Sequence, residues 1–278
     1  MTTLAIETGI EEEYEQALIA SARKAGWDVA VVQHIPFTNK FCWSDRNGLP
    51  GREIPESLRA NTDVWFHGSI QGAKAAQNGT PWAVHAPWSA LRCSNYYPPL
   101  QGRLFQKNPV FTTVGNLPEE KDALYASDLA VDGTLFFRPD ANDKIFTGGC
   151  ISLDEFDQGY KLMTFYDPPP ETPIVVASPQ KILAEARFLV VGGVVVTGSY
   201  YKTGRQSLRL LADGYLMGLA SDTLKFCQAQ GYYPAKSWVL DLAQNDSGWH
   251  IIEVGATSCC GLYKCDLDAF VAALAKVL

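Results

Sequence analysis

Nothing in this 278-residue sequence approaches 18 consecutive apolar residues, and no charged-then-apolar leader opens it. Membrane insertion and secretion are therefore not expected, and the cytoplasm is the expected compartment. Paired C-x-x-C spacing is missing as well. The seven cysteines are odd in number and scattered, which fits a reducing compartment better than a disulfide framework. Cys259, Cys260 and Cys265 cluster near the end of the chain without the spacing of a zinc site, so buried or free thiols are expected there. Histidine is scarce, and the four residues show no i, i+4 spacing, which assigns them structural roles. No G-x-G-x-x-G and no Walker lysine follows any early strand, which disfavours a Rossmann dehydrogenase. Surplus positive charge is lacking too. A formal net charge of −7 argues against a surface built for bulk nucleic acid or anionic membrane, so any polyanion must be bound locally.

What is present is a chain that is 47% hydrophobic, enough for a substantial core and, by length, about two domains. Over the first hundred or so residues, strand-like runs at 3–7, 29–35, 63–67 and 81–85 alternate with helical patterns at 11–24 and 70–77. Gly26 ends the first helix. This alternation predicts a small parallel sheet. The stretches 36–55 and 86–116, rich in Pro, Gly, Asn and aromatics, read as long loops. Their aromatic positions at 41–43 and 96–97 are candidates to line a pocket or simply to pack. Gly68-Ser69 opens a helix whose amides would hold a carboxylate or phosphate, or merely be capped.

From residue 118 the texture changes. A helix is expected at 119–126, strands at 135–138 and 144–146, a helix at 153–163 and a strand at 174–177. A hairpin follows over 181–199, with Gly192-Gly193 in a turn that needs positive φ. Then come a helix at 212–228 and a closing amphipathic helix at 266–278 with Asp266 as N-cap.

The stretch from 237 to 255 places two apolar runs around Gln-Asn-Asp-Ser-Gly, the pattern of a β-hairpin. Symmetry about Ser247 sets Asp241 opposite Glu253 on one face and gathers Leu240, Leu242, Ile252 and Val254 on the other. The two carboxylates then lie roughly 5 Å apart at their Cβ atoms. Like charges so placed need a shared proton or a cation, and a hard ion such as Mg²⁺ suits carboxylate oxygens. A solvent-facing acidic hairpin is the alternative.

Upstream, Arg138 ends an apolar strand before Pro139, and Lys144 precedes Phe-Thr-Gly-Gly; cations beside a glycine turn suit an oligophosphate. Glu185 and Arg187 share a face of their strand, where the arginine needs an anionic partner. Tyr200, Tyr201, Lys202 and Arg205 add cations and aromatic surface. Cations from separate elements followed by two facing carboxylates meet the needs of a Mg-nucleotide.

The order of these elements over about residues 134 to 263 resembles the ATP-grasp superfamily. It runs through Phe137-Arg138-Pro139, the glycine turn Phe146-Thr147-Gly148-Gly149, the hinge strand Ile174-Val175-Val176-Ala177-Ser178, the segment from Glu185 to Val191, Asp241 and Ile252-Glu253. The likeness is greatest to the small bacterial and phage branch with arginine in place of the strand lysine. It implies an α/β (α+β) architecture: an ATP-grasp fold at 118–278, in two lobes of about 118–177 and 178–278, preceded by a small Rossmann-like unit at 1–117.

The resemblance further implies roles. Arg138 and Lys144 would contact ATP phosphates, the backbone of Val176, Ala177 and Ser178 would hold adenine, and Arg187 would bind phosphate or acyl phosphate. Lys202 and Arg205 would add nucleotide contacts, and Asp241 and Glu253 would hold Mg²⁺. The expected activity is an ATP- and Mg²⁺-dependent carboxylate-amine ligase acting on small-molecule or peptide substrates. The family's usual asparagine two residues after the glutamate is Gly255 here. A second metal would then be held differently, by Ser258, or not at all, which keeps a nucleotide-binding regulator in view. An ATP-dependent phosphotransferase on the same fold is the other alternative.

Overall fold

The computed structural model describes residues 2–9, 12–44, 50–204 and 206–278. The chain opens with β1 (Thr3–Glu7), α1 (Glu12–Lys24), β2 (Asp28–His34), β3 (Phe41–Ser44), β4 (Pro50–Glu53), α2 (Glu56–Arg59), β5 (Val64–His67) and α3 (Ile70–Gly79). Their sheet runs β4-β3-β2-β1-β5. The pairs β1–β2 and β1–β5 are parallel, while β3 and β4 join antiparallel. The sheet is thus mixed, and the stretch 36–55 contributes two strands to it rather than only a loop. The strand expected at 81–85 is a single bridge from Ala83 to Trp65.

Helix α1 forms as its spacing predicts, with Tyr14, Leu18, Ile19 and Ala22 buried on one side, and Gly26 at φ 77° turns the chain back. The start of α3 is filled from within. Ser69 caps it by accepting from the Gly72 N–H, while the Ser69 N–H and hydroxyl both donate to Glu7 at 2.7 Å. A Cβ at Gly68 or Gly72 would stand 2.5 or 2.2 Å from that carboxylate, so both positions need glycine. The carboxylate that the amides of this turn hold is therefore the chain's own.

The second part holds α4 (Cys93–Leu100), β6 (Val110–Thr113), α5 (Leu117–Tyr125), β7 (Thr134–Pro139), β8 (Gly149–Ser152), α6 (Phe156–Met163) and β9 (Pro173–Ala177). An antiparallel sheet of order β6-β9-β7-β8 results. β6 arises inside the stretch 86–116 that composition marks as loop. The strand expected at 144–146 begins at Gly149 instead, because Lys144 sits at φ 54° and carries the chain around the turn.

The third sheet, β12-β11-β10-β13-β14, is antiparallel. It is built from β10 (Ala184–Val191), β11 (Val194–Thr203), β12 (Leu210–Leu211), β13 (Ser237–Asn245) and β14 (Gly248–Gly255), with α7 (Gly214–Ala229) and α8 (Leu267–Leu274) against it. Gly192 and Gly193, at φ 60° and 80°, make the hairpin turn.

The carboxylate hairpin pairs Asp241 with Glu253, as its symmetry predicts. Beyond that pair the register slips, so that Leu242 faces Ile251 and Ile252 is the extra residue of a β-bulge. The core therefore takes Leu240, Leu242, Ile251 and Val254. Ile252, expected in that set, is turned with Glu253 towards a cleft.

Candidate functional site

The cleft lies where the β6-β9-β7-β8 sheet meets the third sheet, and it encloses about 390 Å³. That volume suits a small-molecule ligand. β7 contributes Phe136, Arg138 and Pro139; the following loop contributes Asn142, Lys144, Phe146, Thr147 and Gly148. Ser178, Gln180 and Ile182 come from the β9–β10 connection, Glu185 and Tyr201 from β10 and β11, and Ile252 and Glu253 from β14. A second cavity, of about 500 Å³, opens between this cleft and α3, with Ile70, Trp88, Leu91, Val239 and Tyr263 as apolar wall and Arg187 as cation. Among the residues lining each, Asn142, Lys144 and Glu253 line both.

Two arginines and two carboxylates form crossed pairs. Arg138, nearly buried at the end of β7, donates from Nη2 to Glu253 at 2.9 Å and to Asn142 Oδ1 at 3.2 Å, reaching across to the other sheet. Arg187 lies opposite Asp241 in the β10–β13 ladder and clasps it with Nε at 2.9 Å and Nη2 at 2.7 Å. The Arg187 guanidinium also donates to the Gly261 carbonyl and lies over the rings of Tyr201 and Tyr263. Burial pushes the Asp241 carboxyl up, and the neighbouring carboxylates Glu253 and Glu185 act the same way, while Arg187 pulls it down. Asp241 is only 2% exposed and lines neither cavity, whereas Glu253 opens to both.

Glu253 is the carboxylate a hard dication would reach from the cavities, with the free lone pairs of Asp241 behind it. Asp241 and Glu253 face each other across β13 and β14, and a carboxylate has about four lone-pair sites, of which the Arg187 fork uses two at Asp241. Burial pushes Cys259, Cys260 and Cys265 up to about 12, so they stay protonated, and all seven cysteines are unbridged.

The other residues named from sequence are spread between the two cavities, the core and the surface. Val176 and Ala177 are fully buried in β9, a central strand whose Val176 pairs with both Val110 and Phe137. Of the hinge trio, Ser178 lines the cleft, while the side chains of Val176 and Ala177 are in the core. Arg187 lines the second cavity rather than the first. Lys202 pairs with Glu185 at 2.8 Å and is not among the residues lining the cleft, and Arg205 is outside the described residues. Ser258 is buried, its hydroxyl accepting from the His85 N–H. Phe41, Cys42, Tyr96 and Tyr97 are in the core. Sequence reasoning gave no role to Asn142, Gln180, Ile182 or Glu185. For Glu185 the signal was its place two residues before Arg187 on one strand face; for Asn142 it was the polar loop four residues past Arg138.

Two sheets clasping a cleft, with cations from one and paired carboxylates from the other, define an ATP-grasp architecture. The chain belongs to that superfamily: residues 89–274 match the model of a family described as an ATP-grasp domain. The curated proteins include no match to it. Among solved structures it is similar to the D-cycloserine synthetase DcsG, with TM-score 0.63, 14% identity and 99% of each chain covered. It is similar also to the VanG D-Ala:D-Ser ligase from Enterococcus faecalis, with TM-score 0.60, 14% identity, and 98% of this chain and 95% of that one covered. A third likeness is to the ATP-grasp ligase PsnB complexed with minimal precursor, at TM-score 0.55 and 10% identity, covering 100% of this chain and 99% of that. At these identities the likeness is one of fold.

Proposed function

We propose that this protein is an ATP- and Mg²⁺-dependent ligase that joins a carboxylate to an amine through an acyl phosphate. The observation that carries this reading is the junction of the two cavities at Asn142, Lys144 and Glu253. A nucleotide in the cleft would present its terminal phosphate there, facing whatever occupies the second cavity.

On this reading adenine lies against Ser178, Gln180 and Ile182, and the triphosphate runs past Arg138 and Lys144 towards Glu253. Lys144 and the Phe146–Gly149 turn offer a charge and backbone amides to the phosphates. Mg²⁺ held by Glu253 and Asp241 would offset phosphate charge as it builds on the transferring group. Arg187 would orient the acceptor carboxylate from the second cavity. Its oxygen attacks the γ-phosphorus and ADP departs; an amine nitrogen then attacks the acyl carbon, phosphate leaves with the bonding electrons, and the nitrogen's surplus proton passes to that phosphate. The site works by alignment and charge neutralisation, which asks for no serine or cysteine nucleophile.

DcsG is named for D-cycloserine and VanG for D-Ala and D-Ser, while PsnB is complexed with a precursor peptide. Both substrate sizes therefore belong in the test. Incubation with ATP, Mg²⁺ and pooled amino acids or peptides should release ADP and phosphate with an amide product. ADP with a stable phosphorylated product would identify a phosphotransferase instead, and binding without turnover a regulator. Glu253→Gln, at a half-exposed position, should remain folded and lose turnover; wild-type rates in that variant would remove the metal assignment.

A further inference from the structure

Asn142 occupies a peculiar place for a loop residue. It belongs to the connection after β7, yet its Nδ2 donates at 2.5 Å to the carbonyl of Val254, on the opposite sheet. Its side chain therefore rests on the backbone between Glu253 and Gly255, where Gly255 contributes no side chain of its own. The amide orientation is fixed by its partners: only the NH₂ can face a carbonyl, and only Oδ1 can face the guanidinium of Arg138.

One nitrogen, Arg138 Nη2, thus draws together two oxygens from opposite sheets, Glu253 Oε1 at 2.9 Å and Asn142 Oδ1 at 3.2 Å. A cationic centre with convergent oxygens, one anionic and one a neutral amide, is also the donor chemistry of a hard divalent ion. Arg138 would then turn to the nucleotide phosphates that Mg²⁺ brings with it, an exchange that leaves every charge partnered.

We infer that Asn142 is a magnesium ligand, its Oδ1 completing from the β7 loop the oxygen set that Glu253 and Asp241 begin on the hairpin. This rests on the ligase reading of the site. The metal set is then assembled across the cleft, and it forms fully only when the two sheets are held together.

Titration of the full-length protein with Mn²⁺, followed by loss of the free-ion EPR signal in the presence of a non-hydrolysable ATP analogue, tests it. Asn142→Ala should weaken Mn²⁺ binding roughly 10–100-fold, a larger loss than in metal-free nucleotide affinity, and Asn142→Asp should restore Mn²⁺ binding. Circular-dichroism melts confirm that each variant is folded. Unchanged Mn²⁺ affinity in Asn142→Ala would overturn the assignment. So would a loss confined to metal-free nucleotide affinity, because Asn142 would then only steady Arg138. If the wild-type protein binds neither analogue nor Mn²⁺, the ligase reading itself fails and the inference with it.

Discussion

At the scale of single residues, the Arg187–Asp241 pair decides how the site can be tested. Both partners are nearly enclosed, and each is the other's main counter-charge. Removing one leaves the other charged in a poorly solvated place, a loss of about 3–5 kcal/mol. Asp241→Asn and Arg187→Met should each lower stability by that amount in urea titrations, so lost activity in either variant would not by itself diagnose metal binding. Replacing both with apolar residues of similar volume should recover most of the loss, since the buried pair was costly to desolvate from the start. Additive losses in the double variant would show that the two side chains do not interact as the geometry requires. Glu253 escapes this problem, because its side chain is 36% exposed and partly solvated. The facing of Asp241 and Glu253 was legible because a hairpin is a local object, read from two runs and a turn. Arg187 as the partner of Asp241 was not, because that ladder joins residues 54 apart in sequence.

At the scale of elements, the short turn at Thr257–Cys259 ties β5 to the carboxylate sheet. His67 at the end of β5 donates from Nδ1 to the Thr257 carbonyl at 2.9 Å, and Ser237 of β13 donates to the Thr257 hydroxyl. The Gly68 N–H donates to the Ser258 carbonyl as well. Burial pushes His67 down to about 4, so its ring stays neutral in the folded chain. The unfolded ring takes up a proton near pH 6.5, and the folded one only near 4. Stability is thus fully present above pH 6.5, declines as pH falls towards 4, and is flat below. One such group accounts for about 3 kcal/mol across that window. His85, also held to about 4 mainly by burial, acts in the same direction. His67→Gln should remove roughly 2–3 kcal/mol of the difference between urea stabilities at pH 7.5 and 4.5. An undiminished difference would place the acid-sensitive group elsewhere. Periodicity revealed α1 and α7 because each buries one regular face, and both hairpins because two apolar runs flank a glycine turn. It missed β6, the shifted start of β8 and the bulge at Ile252. Those depend on pairing with distant strands and on a positive φ at Lys144, and neither leaves a local pattern.

For the whole molecule, the question is which parts stand alone. The β6-β9-β7-β8 lobe has its own core, built on Leu117, Leu135, Phe137, Phe156 and Ile174. The N-terminal sheet has a core of its own on one face, built on Val32, Phe41, Val64, Phe66 and Trp82, but shares the core on its other face. Leu4, Ile6, Leu18 and Trp65 share one cluster with Leu189 and Val239 of the third sheet and with Phe270, Val271 and Leu274 of α8. α8 is the last helix in the chain, yet it packs against α1, with Phe270 edge-on to Trp65. Across the division expected near residue 118, one face of the first unit keeps its own core while the other packs with the last segments. The first unit and these segments would carry one wall of the second cavity, and the separately cored lobe would carry the nucleotide cations. Phe270→Ala opens a cavity at the centre of this shared core and should cost about 3–5 kcal/mol. Because the cluster spans both sheets, the loss should fall on both together. Hydrogen exchange at amides of β1 and β5 should accelerate in step with those of β10 and β13, while amides of β7 and β9 change less. If only the C-terminal amides responded, the N-terminal sheet would be an independent unit, and the second cavity would lie between separable domains.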